Sequence, residues 1–332
     1  MTGAPAPKAD SFDDAASTAA GRALGDAPEG ADLTRLATLS REIVALKRVR
    51  SAQNADLSVP AAGFVRAWAA FSAEADAEAL ARGAVAETLA ATVMGALDRA
   101  ALRAMGRGAD ETRAVLQRAA AEAAGRFGLD PALAEIPAAE PAPLTELLES
   151  APPFVALLVA QPRSGATFPG RPRLALEPAE SHAEHCQSVA VIAALLCLAN
   201  GTGPGEAWVM GLAHHLHNAE MPDGGFGGEE ALGEHLAPLM ARLTDRAIAS
   251  LSVETGAVVA SALARKDDVD APSAAAFNAA DVFDRVLQQE SYARDARFEL
   301  REALEDLDLV HPGPLQAFQQ DVLARAGLWP AP

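Results

Sequence analysis

The stretch from Glu180 to Gly201, ESHAEHCQSVAVIAALLCLANG, joins two histidines and two glutamates to an apolar run. His182 and His185 are three residues apart, so they share one face if the stretch is helical. An ordinary core helix carries alanine or serine at such positions. The stretch therefore predicts a core helix whose first turn carries metal-ligand side chains.

Composition and periodicity predict an all-α protein. The chain has 332 residues, of which 50% are hydrophobic and only 5% aromatic. Alanine and leucine dominate and recur at helical spacing, and strand-like alternation is nearly absent. The formal net charge of −18 opposes binding to nucleic acid or to an anionic membrane, because both would be repelled. A small-molecule ligand is the expected partner, and a homodimer is left open.

Several features indicate a cytoplasmic bacterial protein. Three lysines against many arginines, with abundant alanine, are typical of a GC-rich bacterium. Cys186 and Cys197 lie on one predicted helix, about 16 Å apart at a rise of about 1.5 Å per residue, too far for a disulfide. The longest apolar stretch, Val189 to Ala199, is too short to cross a bilayer, and no apolar leader begins the chain.

Proline and glycine divide the chain into four predicted regions. Residues 1–30 are expected to be a disordered tail, and residues 31–130 an N-terminal helical bundle. Residues 131–173 are a Pro-rich connecting region with one short helix near 143–150, and residues 174–328 form a second helical, metal-binding region. The longer helices are predicted near 59–80, 83–105, 110–126, 180–200, 205–218, 228–249, 252–265, 272–290, 292–306 and 314–326. The basic segment LKRVRSA, residues 46–52, is interpreted as a solvated helix end.

Six of the seven histidines fall between His182 and His235. The span from Leu174 to Ala241 also has nine acidic residues and neither lysine nor arginine. A pocket built from this span would attract a cation and, without one, repel phosphate. Imidazole and carboxylate together suit Zn, Mn, Fe, Co or Ni rather than Ca. The cluster therefore predicts a divalent transition metal as cofactor.

A second motif, GLAHHLHNAEMPDGGF, follows the first after a short interval. On a continuous helix His214, His217 and Asn218 share one face, whereas His215 is rotated by about 100°. The segment MPDGG must end that helix and leaves Asp223 in the turn.

Taken in order, ESHAEH, VMGLAHHLHNAEMPD and FNAADVFDRVLQQ resemble the HD superfamily of metal-dependent phosphohydrolases. The 5′-deoxynucleotidase-like branch is the most similar, and the resemblance covers roughly residues 170–290. It implies a helical metal site in which His185, His214 and Asp281 are ligands. It also places His215 where the family has the aspartate of its HD pair, and Asn218 where this branch has a glutamate that activates water.

Further assignments follow from the same resemblance. Asp223 matches a later family aspartate, and Arg171 or Arg173 stands for an arginine that holds the substrate phosphate. With Asn218 unable to accept a proton, Glu220, His217 or Glu184 is the alternative base, and His182 is an additional metal ligand. Asp284, one helical turn after Asp281, is interpreted as an acid behind the ligands or at the surface.

The replacements change the expected chemistry. Imidazole in place of a carboxylate at residue 215 removes a negative charge and favours Zn, Fe, Co or Ni over Mg and Mn. The loss of a general base at residue 218 removes help that is typically worth about 10²–10⁴ in rate.

Three functions therefore remain open. The first is hydrolysis of a nucleotide-like phosphomonoester, with the metal activating water. The second is a catalytically degenerate HD module with a regulatory or scaffolding role. The third is a non-haem diiron oxygenase, for which His182, His215, His217 and His235 would supply the nitrogen ligands.

Overall fold

The computed structural model describes residues 33–163, 177–296, 299–306 and 308–329. These residues form α-helices, short 3₁₀ turns and one π-helical turn, Glu302–Asp306, and within them only two isolated β-bridges occur and no strand. The all-α prediction is confirmed. The helices are α1 Leu33–Ala45, α2 Val59–Ser72, α3 Ala77–Met94, α4 Arg99–Ala104, α5 Ala109–Arg126, α6 Leu144–Ser150, α7 Pro153–Ala160, α8 His182–Ala199, α9 Gly205–Ala213, α10 Gly225–Leu232, α11 Leu236–Ile248, α12 Val253–Arg265, α13 Pro272–Ala296 and α14 Gln316–Arg325.

The N-terminal helices are shorter than the periodicity predicts. Helix α2 ends at Ser72, and Asp76 caps the next helix by accepting a hydrogen bond of 2.9 Å from Ala79 N. Helix α3 ends before Gly95, whose φ of 59° is left-handed, and Asp98 caps α4 in the same way. The predicted helices 59–80 and 83–105 are therefore wrong at their boundaries, because local capping interrupts the apolar pattern.

The Pro-rich connecting region contains two short helices in its described part. Helix α6 confirms the predicted one, whereas α7 was not predicted. Pro153 is the first residue of α7, a position at which proline is favoured because its missing N–H has no helical partner anyway. Proline here starts a helix instead of breaking one.

Helix α9 ends earlier than predicted, and this changes the geometry of the histidines. It stops at Ala213, and a 3₁₀ turn, Leu216–Ala219, follows. The predicted continuous helix 205–218 is wrong, so the rotation that it implies for His215 does not apply. The predicted helices 228–249 and 292–306 are wrong in extent as well, since α10 and α11 are separate and α13 continues to Ala296.

Helix α8 lies at the centre of the molecule. Every residue from His182 to Leu198 is buried, and the helix contacts α1, α2, α3, α7, α9 and α13. Its length and composition would suit a membrane span, but 94% of that window is buried inside the protein, as in a core helix. One apolar core includes residues from Leu36 to Leu328, and the proposed division into domains stays a prediction.

Helices α8 and α9 cross at very close range. A Cβ atom on Gly211 would lie 2.4 Å from Ala190 Cα and 2.6 Å from Ala190 N, closer than any side chain tolerates. Glycine at this point lets the two backbones touch. The crossing brings His185, on α8, next to His214, which follows α9.

Candidate metal centre

The first turn of α8 is fixed by a capping box. Ser181 Oγ accepts a hydrogen bond of 3.2 Å from Glu184 N, and Glu184 Oε2 accepts one of 2.7 Å from Ser181 N. Glu184, one of the alternative bases, is engaged in this cap. The preceding residues pair with 161–163, since Arg163 N donates to Glu180 O at 2.7 Å. This pairing brings Arg163 to the beginning of α8.

Three predicted ligands converge at one point. His185 Nε2 lies 3.1 Å from His214 Nε2 and 3.3 Å from Asp281 Oδ1, and His214 Nε2 lies 3.9 Å from the same oxygen. Donor atoms that share a tetrahedral transition metal at bond lengths of about 2.0–2.1 Å are about 3.3 Å apart. The three observed distances surround this value. His215 also offers a ring nitrogen within 4.8 Å of the ligand atoms of His185 and His214.

The hydrogen bonds of the three imidazoles orient their lone pairs. His185 Nδ1 donates to Asp284 Oδ2 at 2.7 Å, His214 Nδ1 to Gly211 O at 2.8 Å, and His215 Nδ1 to Asn218 Oδ1 at 2.8 Å. All three partners are oxygen acceptors, so Nδ1 carries the proton and Nε2 keeps a lone pair. Two such lone pairs only 3.1 Å apart repel each other unless a cation lies between them.

Asn218 orients the imidazole of His215. Its Nδ2 atom donates to Met221 O at 3.1 Å, which turns Oδ1 toward His215. An amide in this place holds the imidazole of His215 in the tautomer that a metal requires.

Burial keeps the imidazoles of His214 and His215 neutral. Desolvation, reinforced by His185, lowers the pKa of His214 to about 3. Desolvation and the neighbouring His214 lower the pKa of His215 well below its usual range. A neutral ring is the form that binds a metal.

Asp281 is held as a carboxylate. Burial by itself would raise its pKa, but the Arg285 guanidinium and the adjacent His185 ring hold the pKa well below the usual range. Arg285 Nη2 lies 3.3 Å from Asp281 Oδ2, which leaves Oδ1 turned toward the histidines.

A buried lysine lies behind the ligands. Lys47 Nζ donates to Asp284 Oδ1 and Oδ2 at 2.7 and 2.8 Å and to Glu180 Oε1 at 2.5 Å. Burial would lower the pKa of Lys47, but the two carboxylates outweigh it and raise the pKa. The prediction that residues 46–52 are a solvated helix end is wrong for Lys47, since it is only 5% exposed.

His182 lies beside this cluster and is unusually situated. It is 1% exposed, and neither ring nitrogen has a hydrogen-bond partner among the described residues. Its ring centroid lies 5.1 Å from that of His215. Burial and the nearby Arg163 lower its pKa to about 3.

A cavity of about 510 Å³ adjoins the cluster. Arg163, Lys266 and Arg285 line it, although the span from Leu174 to Ala241 contains no basic residue. Arg163 Nη1 and Arg285 Nε have no hydrogen-bond partner among the described residues. The fold brings these cations from other segments, but Glu180, Asp223, Glu229, Asp267 and Asp281 line the same cavity. The expectation that the cavity repels phosphate without a bound cation therefore stays a prediction.

The cavity collects most, but not all, of the predicted site residues. It is lined by His182, His214, His215, His217, Asn218, Asp223 and Asp281, and His185 is completely buried behind them. Glu220 does not line it and forms an ion pair with Arg246. His235 is exposed and lies outside the lining. Arg171 and Arg173 lie outside the described residues.

Lys47, Arg163 and Asp284 are the contributors that sequence reasoning missed or underrated. Lys47 is 237 positions from Asp284, and no local pattern announces their contact. One signal was present: a lysine in a chain with only three, at the end of a strongly amphipathic helix.

Comparisons with protein-family models, with curated proteins and with solved structures find no match for this chain. Fold and site together define an all-α protein with a buried cluster of histidine and acidic residues that is compatible with a metal ion.

Proposed function

We propose that the protein is a divalent-metal-dependent phosphohydrolase of the HD type that acts on a nucleotide-like phosphomonoester. The observation that carries the proposal is the pair of Nε2 atoms 3.1 Å apart beside the Asp281 carboxylate, at the wall of a cavity that also presents arginines. His185, His214, Asp281 and His215 are the proposed ligands, and the donor set favours Zn, Fe, Co or Ni. A bound ion of this kind would polarise a phosphoryl oxygen and activate water.

The cationic side chains of the cavity suit a phosphate group. Arg163 Nη1 and Arg285 Nε have no hydrogen-bond partner among the described residues, although Arg163 Nη1 lies 3.7 Å from Glu180 Oε2. Lys266, which pairs with Asp267, adds a third positive charge. Guanidinium groups bind phosphate oxygens through parallel hydrogen bonds. In the proposed reaction they orient the phosphate and neutralise the charge that develops on it.

His217 is the proposed proton acceptor. It lines the cavity, and burial lowers its pKa to about 4, so the ring is neutral near pH 7. Asp223 acts in the opposite direction and stabilises the protonated ring. Asn218 serves to orient His215, and Glu220 is directed to the surface.

The rest of the cavity fits a polar ring system. Besides Asn218, four amide side chains line it: Asn278, Gln288, Gln289 and Gln319. Each amide offers both donors and acceptors, as the edge of a nucleobase requires. The carbonyl oxygens of Gln288 and Gln289 have no partner among the described residues.

The test begins with elemental analysis of the purified protein. Stripped protein is reloaded with Co²⁺, Ni²⁺, Zn²⁺, Fe²⁺ or Mn²⁺ and assayed for phosphate release from deoxynucleoside monophosphates. We expect stoichiometric metal and turnover in the wild type, and loss of both in His214→Ala. His235→Ala, which changes an exposed histidine outside the cavity, is the control. Failure of the wild type to bind any of these ions would refute the proposal.

A second candidate is a metal-dependent nucleotide-binding module without turnover. The position of Glu220 and the amide at residue 218 favour it, because neither supplies a base to the cavity. Calorimetric binding of a deoxynucleoside monophosphate to metal-loaded protein, with no phosphate release, would support this candidate over hydrolysis.

A further inference from the structure

The N-terminal helices contribute to the candidate metal centre through one side chain. Lys47 belongs to the 3₁₀ turn Leu46–Arg48 that follows α1, whereas Asp284 lies on α13 and His185 on α8. Lys47 Nζ donates to both oxygens of Asp284, and Asp284 Oδ2 accepts from His185 Nδ1 at 2.7 Å. The contacts form a continuous series from α1 to the ring nitrogen opposite the metal-facing Nε2.

Because Lys47 and Asp284 are both buried, each of these charges needs the opposite charge beside it. Asp284 is 0% exposed and Lys47 only 5%. A carboxylate in such surroundings needs a paired cation, because its desolvation is not otherwise compensated. Lys47 supplies that cation and also pairs with Glu180, whose second oxygen lies 3.7 Å from Arg163 Nη1. Asp284 then accepts a hydrogen bond from His185 Nδ1, which fixes the orientation of the ring and makes Nε2 a stronger metal ligand.

Lys47 is not the only link between these helices. Arg41 on α1 donates to Glu290 on α13 at 2.8 Å and joins the same two helices without contacting a histidine. Arg41 and Glu290 are part-buried, with side-chain exposures of 33% and 20%. Docking of α1 against α13 thus has a second ion pair. Removing that pair disturbs the docking alone, without changing the contact with His185.

We propose that Lys47 is a positioning residue of the metal centre. Its two hydrogen bonds hold the Asp284 carboxylate in place, and through Asp284 it orients the metal-binding nitrogen of His185. Metal affinity at one end of the series therefore depends on the docking of α1 at the other. The inference rests on the metal site of the proposed function but not on any turnover there.

The test compares Lys47→Met with Arg41→Met, which removes the cation of the other ion pair to α13. Affinity for Co²⁺ is measured by competition with a chelator, and the visible spectrum of the Co²⁺-loaded protein reports the ligand geometry. We expect Lys47→Met to lower the affinity about 10- to 100-fold, as loss of an outer partner of a ligand does. Its spectrum is expected to change, whereas Arg41→Met retains the affinity and spectrum of the wild type. Equal effects of the two variants would overturn the inference.

A double-mutant cycle shows whether Lys47 acts through Asp284. In an Asp284→Asn background, Lys47→Met is expected to add less than about a threefold further loss, since coupled residues are not additive. Losses that multiply independently would overturn the inference.

Folding and turnover are separated by two further measurements. If Lys47→Met does not fold, the double variant Lys47→Met/Glu180→Gln replaces it in both comparisons. This variant removes one positive and one negative charge. Metal affinity that depends on Lys47 without phosphate release supports the inference and counts against hydrolysis. Phosphate release together with a metal affinity that does not depend on Lys47 supports hydrolysis and overturns the inference. A wild-type protein that binds no Co²⁺ overturns both the inference and the proposed function.

Discussion

The Nε2 atoms of His185 and His214 face each other at 3.1 Å, and each ring donates its opposite nitrogen to an oxygen. When both rings are neutral and donate through Nδ1, each Nε2 presents a lone pair to the other. The Asp281 oxygen adds a third lone pair to the same space. The arrangement is unfavourable without a cation and favourable with one, and this difference can be measured.

The first prediction concerns stability on metal binding. A ligand present at about 100 times its Kd stabilises the folded state by about 2.7 kcal/mol. We expect Co²⁺ or Zn²⁺ to raise the Tm of the stripped wild type by several degrees and to leave that of His214→Ala unchanged. Differential scanning calorimetry measures both, with His235→Ala as a control that behaves like the wild type. An equal rise in His214→Ala would place the bound ion elsewhere.

The second prediction concerns pH in the presence of a chelator. Burial, aided for His182 by Arg163, lowers the pKa from 6.5 to about 3 for His182 and to about 4 for His217. Between about pH 6.5 and these values the unfolded chain binds protons that the folded protein does not. The free energy of unfolding therefore falls as pH decreases through this window, by about 1.4 kcal/mol per pH unit for each such imidazole.

Urea unfolding between pH 7 and pH 4 measures this slope. His217→Gln is expected to reduce it, because one of the buried imidazoles is then missing. His235→Gln, which changes an exposed ring, retains the wild-type slope. A slope that is the same in all three proteins would contradict the burial argument.

The third prediction concerns the cations of the cavity. Arg163→Gln is expected to lower kcat/KM about 10- to 100-fold, since a hydrogen bond to a charged group contributes about 1.5–3 kcal/mol. The loss should appear mainly in KM, and metal content should stay at the wild-type level. Steady-state phosphate release measures it. Arg246→Gln, which removes an arginine paired with Glu220 outside the cavity, is the matched control.

The fourth prediction concerns the crossing of α8 and α9. Gly211→Ala would place a methyl group 2.4 Å from Ala190 Cα, so the two helices must separate. Overpacking of this kind typically costs about 1–3 kcal/mol, and here it also moves His214 relative to His185. We expect a lower free energy of unfolding, measured by chemical denaturation, and a lower Co²⁺ affinity. Gly125→Ala on α5, where a Cβ meets nothing within 4 Å, is expected to be neutral or stabilising.

The sequence was a good guide to the ligands because they lie in helical motifs. His185, His214 and Asp281 belong to three short segments with characteristic spacing, and the fold brings them together. Their assignment as ligands stays a prediction, but their convergence is what the resemblance of the three motifs to the HD superfamily implies. The direction of His215 was not, because no glycine or proline marks the end of α9 before His214.

The supporting residues could not be inferred locally. Lys47 is predicted to be solvated if only its own helix is considered, and Arg163 precedes the histidine cluster in a proline-rich region. Both reach the site through tertiary contacts, with Asp284 and Glu180 respectively. Their roles depend on which helices pack together, and hydrophobic periodicity gives no information about that choice.

The complete burial of α8 has a consequence for expression of the protein in parts. A helix without a solvent-exposed face depends on its neighbours for solubility, and several of these, including α2 and α3, precede residue 163. A fragment that begins at residue 177 would expose the apolar run from Val189 to Leu198 to water. Exposed surfaces of this kind promote aggregation. Two co-expressed fragments, one ending at residue 163 and one beginning at residue 177, would by contrast be expected to associate, because their association buries this helix.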